Sequence, residues 1–205
     1  MRVLLTGFEA YGNYSENSSW VVAEKVATLG VSGVELVVEQ MPVSFARAGE
    51  VLRRAVDKHS PDAILMLGQS AGSDRVKLEG VALNMMNARS ADNDGRRPQA
   101  EQIVPHSPEV LMTTVPIHNI HRAVEERGIA VQISDSCGQY VCNSLYYKAL
   151  LMCHTKPEMS VLFVHLPLYR GQLSVNENKP TMPLEEMVGA IQTIITKIDE
   201  NRREI

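Results

Sequence analysis

The stretch AVQISDSCGQYVCNSLYYKALLMCHTKPEMSVLFVH, residues 130–165, contains a strand, a turn, a helix and a second strand. The run AVQIS predicts the first strand, because branched apolar residues favour extended structure. A polar turn follows, and then QYVCNSLYYKALLMCH, residues 139–154, has the length and apolar content of a packed helix. SVLFVH, residues 160–165, is continuously apolar and predicts a buried strand. Alternation of this kind predicts a mainly parallel sheet, since parallel strands need crossover connections.

The same alternation extends outward from this stretch. Further strands are predicted at 3–6, 34–40 and 63–68, and helices at 18–30, 44–59, 117–128 and 183–203. Between residues 69 and 116 the periodicity fails, although VKLEGVALN, 76–84, has an extended pattern. A nonperiodic stretch of this length is uncommon inside a compact domain and tends to carry function. We therefore expect a single α/β domain over residues 1–205, with a twisted, mainly parallel (mixed) sheet flanked by helices on both faces.

Composition and charge narrow the class of partner. The chain has 205 residues, is 44% hydrophobic and carries a net charge of −4, with its Lys and Arg residues scattered. The sequence therefore predicts no nucleic-acid partner and no binding to an anionic membrane. The N-terminal apolar run ends at Thr6 and no later segment reaches transmembrane length, so neither a signal peptide nor a membrane anchor is expected. An odd number of cysteines then indicates reduced thiols in the cytoplasm, and the partner is expected to be small or peptidic.

The three cysteines differ in what their positions predict. Cys137, Cys142 and Cys153 form no Cys-x-x-Cys pair and no zinc-type spacing with histidine, so no structural metal site is predicted. Cys153 lies late on its helix among apolar residues and is most simply a small buried side chain. Cys142 lies in the first turn, where the helix dipole and free N–H groups favour a thiolate and can stabilise an oxyanion. Position alone leaves two interpretations of Cys142 open, a catalytic nucleophile and a packing residue.

A nucleophilic cysteine needs a base, and the chain has six histidines. Five of them lie in polar or helical contexts typical of solvated surface. His165 instead ends the apolar strand 160–165, at the sheet edge where ligands of such folds bind. Glu79 has apolar neighbours in VKLEGVALN, and a carboxylate in such surroundings usually has a partner. The alternatives are a core histidine bonded to a backbone carbonyl and a surface glutamate on an edge strand.

Seven short blocks give the sequence a family resemblance. They are VLLTGFEAYG (3–12), SW (19–20), GQSAGS (68–73), LEGVALN (78–84), ARSADNDG (88–95), SDSCGQYVCN (134–143) and FVHLP (163–167). Together they resemble pyroglutamyl peptidase I, also called pyrrolidone carboxyl peptidase, over nearly the whole chain. The resemblance implies a cysteine peptidase that removes an N-terminal pyroglutamyl residue from peptides, with no cofactor and no metal. It also implies a homo-oligomer, for which a tetramer is one candidate.

Residue roles follow from the same resemblance, position by position. Cys142 matches the nucleophile, His165 the general base and then acid, and Glu79 the group that orients the imidazole. Arg89 matches an arginine near the oxyanion and the substrate. The implied substrate pocket has aromatic and aliphatic walls and two polar positions: Phe8, Tyr11, Val43, Tyr140 and Val141, with Asn17 and Gln69.

Several positions depart from the family pattern. Tyr11 stands where Phe is usual, Ser18 where Pro is usual, Gly80 where Arg is common and Cys137 where Ala is common. The block GQSAGS also lacks the usual Gly-Gly-Arg ending. No member of the implied triad is changed, so the departures bear on substrate affinity and fine specificity more than on the type of reaction. Cys137 could also pair with Cys142 in a regulatory disulfide, which a reducing cytoplasm disfavours.

Two other functions stay open at this point. One is a phosphorylase-like small-molecule enzyme on a similar α/β fold, whose activity would depend on phosphate and survive thiol alkylation. The other is a catalytically silent protein that binds pyroglutamyl peptides without cutting them, although the intact triad residues argue against it.

Overall fold

The computed structural model describes residues 1–174 and 177–203 of the chain. Helices and strands alternate along it except between residues 63 and 112, where four strands follow one another. The strands are β1 (Arg2–Phe8), β2 (Glu35–Met41), β3 (Ala63–Gln69), β4 (Val76–Glu79), β5 (Val81–Leu83), β6 (Val110–Met112), β7 (Val131–Ser134) and β8 (Ser160–Leu166). The helices are α1 (Ser18–Leu29), α2 (Ala48–His59), α3 (Ile117–Glu125), α4 (Val141–Met152) and α5 (Leu184–Arg203), and Arg170–Gln172 form a 3-10 turn. None of these helices combines the length and the apolar character that a bilayer-spanning segment requires.

Six strands form one mixed sheet in the order β2-β1-β3-β8-β4-β7, and β5 and β6 form a separate antiparallel pair. The pairs β1–β2, β1–β3, β3–β8 and β4–β7 are parallel, whereas β4 runs antiparallel to β8. The prediction of an α/β fold with a mainly parallel, mixed sheet is therefore confirmed.

The strand–helix–strand stretch of residues 130–165 does not form a parallel pair. β4 lies between β7 and β8, antiparallel to β8, and β7 pairs with β4 instead. The connection from β3 to β4 has no room for a crossover helix, so β4 returns in the opposite direction. The predicted extended segment 76–84 thus forms two short strands, β4 and β5, separated at Gly80.

Alternate residues of the central strands point into two separate cores. Val3 and Leu5 of β1 join the core that contains the inner faces of α1, α3 and α5. Leu4, between them, joins the core that contains the inner faces of α2 and α4. Because helices cover both faces, these strands are apolar at consecutive positions, which explains their continuous hydrophobic runs in the sequence.

Gly68, near the end of β3, lets two aromatic side chains of β8 lie against its backbone. A Cβ atom at Gly68 would lie 2.8 Å from the Phe163 ring and 3.0 Å from Cδ2 of His165. The centroids of those two rings are 4.8 Å apart. The His165 ring can take this position only because glycine has no Cβ atom. A close-packed protein interior has no free space for an added methyl group.

We expect Gly68→Ala to lower the free energy of unfolding by about 1–3 kcal/mol, the usual cost of overpacking a core. The matched control is Gly189→Ala in the middle of α5, where the new methyl group would meet only Ile129 Cδ1, at 3.8 Å. That change should raise the free energy of unfolding by about 0.5–1 kcal/mol, because alanine favours a helix interior over glycine. Urea denaturation measures both changes, and a stable Gly68→Ala variant would contradict the packing described for β3 and β8.

Candidate active site

The helix α4 presents Cys142 in its first turn. Tyr140 is the N-cap residue, and Gly138, with a φ of 76°, makes the left-handed turn that leads into the helix. The first N–H groups of a helix have no partner within it and carry the positive end of its dipole. Cys142 is partly exposed among these groups, whereas Cys137 and Cys153 are buried. The accessible thiol therefore lies where a negative charge is stabilised.

Strands β4 and β8 bring a carboxylate and an imidazole into direct contact. Nδ1 of His165 lies 2.7 Å from Oε1 of Glu79, and the two side chains are 12% and 1% exposed. The Tyr146 hydroxyl fixes the end of β4 by donating a hydrogen bond to the carbonyl oxygen of Glu79 at 2.9 Å. Glu79 is therefore an interior acid with an imidazole partner, and the interpretation as a surface glutamate on an edge strand is wrong.

The charge on His165 follows from its surroundings. Burial is the largest single influence and lowers the pKa of the imidazole. Hydrogen bonds with the Cys142 thiol and the Glu79 carboxylate, together with the charges of both groups, outweigh burial and raise the pKa of His165 to about 9. The imidazole is therefore protonated at neutral pH, and both Glu79 and Cys142 favour its charged form.

Cys137 lies beside this group, a proximity that its spacing in the sequence does not reveal. Ligand atoms of Glu79, Cys137 and His165 all lie within 4.8 Å of one another. These residue types bind zinc, although Nδ1 of His165 is already bonded to Glu79. Burial, followed by the nearby Cys142 and Glu79, raises the pKa of the Cys137 thiol well above its usual range. All three cysteines are free in the structure, so Cys137 lies at the site as a neutral thiol.

A cavity of about 110 Å³ opens beside Cys142. Its lining brings together seven residues of the predicted pocket: Phe8, Tyr11, Asn17, Val43, Gln69, Tyr140 and Val141. Phe8 and Val43 are buried and provide apolar walls. Oε1 of Gln69 accepts hydrogen bonds from Ser18 N at 2.9 Å and from Gln172 Nε2 at 2.7 Å. The amide nitrogen of Gln69 is therefore the part of this side chain that can meet a ligand.

Asn17 and Ser18, at the N-terminal end of α1, hold the loop that forms one side of this cavity. Asn17 caps α1, because its Oδ1 accepts hydrogen bonds from Ser19 N at 3.1 Å and from Ser19 Oγ at 2.7 Å. Its Nδ2 donates to the carbonyl oxygen of Glu9 at 3.0 Å. The N–H of Ser18 holds Gln69, and a proline at this position would have no N–H to donate. The departure at Ser18 thus adds a contact that orients Gln69.

Arg89 does not line the cavity beside Cys142. It lines a second cleft, of about 540 Å³, with Tyr11, Asn87, Ser90, Ser136, Gly138, Gln139 and Tyr140. The cleft and the cavity share Tyr11 and Tyr140, whose ring centroids are 5.4 Å apart. Both hydroxyls donate to the carbonyl oxygen of Ala91, at 3.3 Å from Tyr11 and 2.9 Å from Tyr140. The hydroxyl that distinguishes Tyr11 from phenylalanine therefore has a partner.

Comparison with known proteins places this arrangement among peptidases. A family model described as pyroglutamyl peptidase matches residues 1–201. A pyrrolidone-carboxylate peptidase of Vibrio vulnificus is 37% identical over 194 residues, which are 95% of this chain and 91% of that protein. The crystal structure of pyroglutamyl peptidase I from Bacillus amyloliquefaciens has a TM-score of 0.93 at 30% identity, over 98% of both chains. Pyrrolidone carboxyl peptidase from Thermococcus litoralis has a TM-score of 0.93 at 28% identity, over 100% of this chain and 96% of that one.

We expect Glu79→Gln to lower the pKa of His165 from about 9 toward the ordinary histidine value, because the change removes a charge that faces the imidazolium. NMR titration of the imidazole measures this shift. Because the folded-state pKa is raised, protonated His165 stabilises the fold below the unfolded-state pKa, and this stabilisation is lost as the pH rises through about 9. Glu185→Gln, an equal charge change at an exposed position of α5, should leave the titration in place. A His165 titration that is unchanged in Glu79→Gln would contradict the pairing.

Alkylation should distinguish the three thiols. Iodoacetamide is expected to modify Cys142 first, because burial raises the pKa of Cys137 well above its usual range and that of Cys153 to about 11. The thiolate is the reactive form, and both buried thiols hold their protons. Mass spectrometry of tryptic peptides after brief labelling at pH 7.5 measures the three rates. Faster labelling of Cys137 or Cys153 than of Cys142 would contradict the exposures described above.

Proposed function

This chain belongs to the pyroglutamyl peptidase family of cysteine peptidases, and we propose that Cys142, His165 and Glu79 carry out its reaction. The observation that supports the assignment most directly is the buried 2.7 Å contact between Glu79 and His165. Cys142 lies close enough to the same imidazole to raise its pKa. A nucleophile, a base and a carboxylate in this order form the arrangement that activates a thiol for acyl transfer. The bond cleaved is the amide that follows an N-terminal pyroglutamyl residue.

The reaction begins at the sulfur of Cys142. As a thiolate paired with the His165 imidazolium, the sulfur attacks the carbonyl carbon of the pyroglutamyl residue and a C–S bond forms. The N–H of Cys142, at the positive end of α4, stabilises the charge that develops on the carbonyl oxygen. His165 then gives its proton to the leaving nitrogen as the C–N bond breaks, which leaves a thioester.

Water completes the cycle. Neutral His165 takes a proton from a water molecule, and the oxygen of that water attacks the thioester carbonyl. The C–S bond breaks, pyroglutamate leaves, and the thiolate–imidazolium pair is restored. Glu79 holds Nδ1 of the imidazole throughout, so Nε2 is the nitrogen left to exchange protons with the substrate and water.

The cavity beside Cys142 is the proposed site for the pyroglutamyl ring. Pyroglutamate is a neutral lactam without a free α-amine, so a carboxylate or metal ion for an amine would have no partner there. Phe8 and Val43 offer apolar walls for the ring methylenes, and the amide nitrogen of Gln69 can donate to the lactam carbonyl. Specificity for pyroglutamate rests on hydrogen bonds to its lactam group, because apolar walls alone discriminate weakly between substrates.

We further propose the setting in which the enzyme acts. Its partners are peptides that begin with pyroglutamate, and its three free cysteines support a reducing compartment, the cytoplasm. A homo-oligomer, for which a tetramer is one candidate, is supported by apolar surface on β6, where Val110 is 48% and Met112 is 71% exposed.

The test of this function is release of a fluorescent amine from a pyroglutamyl amide under reducing conditions, with prolyl and alanyl amides beside it. Only the pyroglutamyl amide should be cleaved, and Cys142→Ser should lose activity by about 1,000-fold or more, because the nucleophile is removed. Cys153→Ser, a change at the buried thiol that lies away from the site, should keep the activity.

Three outcomes would reject the proposal. Full activity in Cys142→Ser would reject the nucleophile, and a requirement for phosphate would favour the phosphorylase-like alternative. Saturable binding of a pyroglutamyl peptide to the folded, reduced protein without any turnover would favour a catalytically silent binder.

A further inference from the structure

The cavity beside Cys142 has room for little more than one ring, so the rest of a bound peptide must lie elsewhere. Its volume is about 110 Å³, whereas the neighbouring cleft has about 540 Å³. Tyr11 and Tyr140 form a wall of both spaces. Gly138 and Gln139, which line the cleft, lead directly into the turn that carries Cys142. The cleft therefore begins next to the point at which the scissile bond would be held.

The wall of the cleft that carries Arg89 is held in place from several sides. Asn87 N donates to the carbonyl oxygen of Gln139 at 3.0 Å, which joins the two sides of the cleft. Further along the same loop, the buried carboxylate of Asp92 accepts hydrogen bonds from Phe45 N at 2.8 Å and from Arg96 N at 2.8 Å. Arg89 thus projects from a loop that is anchored at both ends.

Arg89 is the one charged residue among the eight that line the cleft. Its side chain is exposed, and among the ion pairs of residues 1–174 and 177–203 none involves it. Two other arginines near the same loop are already paired, Arg96 with Glu101 at 2.8 Å and Arg47 with Asp94 at 2.6 Å. A third arginine, Arg97, donates from Nε to the carbonyl oxygen of Ala88 at 3.2 Å and is not among the residues that line the cleft. The guanidinium of Arg89 is therefore the positive charge that lines the cleft.

We propose that this cleft receives the leaving part of the peptide and that Arg89 favours leaving parts that carry a carboxylate near the scissile bond. The inference rests on the proposed peptidase function and adds a substrate class to it. A carboxylate suits a guanidinium because its two oxygens match the fork of N–H donors. It can come from an acidic side chain directly after pyroglutamate or from the free C-terminus of a dipeptide.

The expected preference is modest, because the pair forms at an exposed site. Ion pairs of this kind correspond to about a 2-fold to 5-fold change in kcat/KM. The preference should also weaken as salt is raised, because exposed charges are screened. Uncharged groups that line the cleft, such as Asn87 and Ser136, do not select for charge.

The experiment compares matched peptides by their kcat/KM values at low salt. Amidated pyroglutamyl peptides with Glu or Gln in the second position test the side-chain source, since they differ in charge and hardly in shape. Pyroglutamyl-alanine with a free or an amidated C-terminus tests the terminal source. The proteins are the wild type, Arg89→Gln, Arg89→Glu and, as a control for net charge, Arg127→Gln on an exposed segment that does not line the cleft.

The wild type and Arg127→Gln should prefer the acidic member of at least one pair by about 2-fold to 5-fold. Arg89→Gln should remove that ratio and Arg89→Glu should invert it. The inference is overturned if the wild type shows no preference in either pair, or if the ratio survives Arg89→Gln. It is also overturned if Arg89→Gln slows every substrate equally, because the arginine would then act on the oxyanion. Failure of the wild type to cleave any pyroglutamyl peptide would instead reject the proposed function itself.

Discussion

The site depends on one hydrogen bond between neighbouring strands, the contact of Glu79 with His165. β4 and β8 are antiparallel, and their register pairs Glu79 with Phe163 and Lys77 with His165. Glu79 and His165 are therefore diagonal neighbours on one face of the sheet, a separation that a glutamate side chain can span. The reversed direction of β4 is what brings the carboxylate to the imidazole. The short connection from β3 to β4, which excludes a crossover helix, is thus a condition for the chemistry.

This contact also sets the electrostatics of the site. Glu79 is 1% exposed and its Oε2 has no hydrogen-bond partner in the structure, so the carboxylate depends on His165 for compensation. In turn, His165 reaches a pKa of about 9 only because Glu79 and Cys142 outweigh the effect of burial. The buried Cys137 thiol remains neutral beside them and adds no further charge. The imidazolium is therefore maintained between two acidic groups, which is the state that a thiolate nucleophile requires.

Much of this arrangement could be predicted from the sequence, for identifiable reasons. His165 ends a continuous apolar run, and Glu79 is an acid among apolar residues, so local pattern singled out both. The direction of β4 could not be predicted, because the hydrophobic pattern of a four-residue strand does not show which strand it pairs with. The proximity of Cys137 to Glu79 was missed for the same reason, since it arises from pairing between residues far apart in sequence. The members of the cavity came from the resemblance, which did not predict that Arg89 lines a separate cleft.

The departures from the family pattern are interpretable once the contacts are known. At Tyr11 the added hydroxyl does not enter the cavity as an unpaired polar group, because it donates to the carbonyl oxygen of Ala91. Tyr140 donates to the same oxygen from α4, and burial with the neighbouring Tyr11 raises its pKa, so it remains a neutral donor. One carbonyl thus joins the loop after β1, the start of α4 and the loop of Arg89. Tyr11 and Tyr140 line both the cavity and the cleft, so the hydroxyl of Tyr11 stabilises the wall between the pyroglutamyl ring and the leaving peptide. The apolar walls of the cavity, Phe8 and Val43, are unchanged by this substitution.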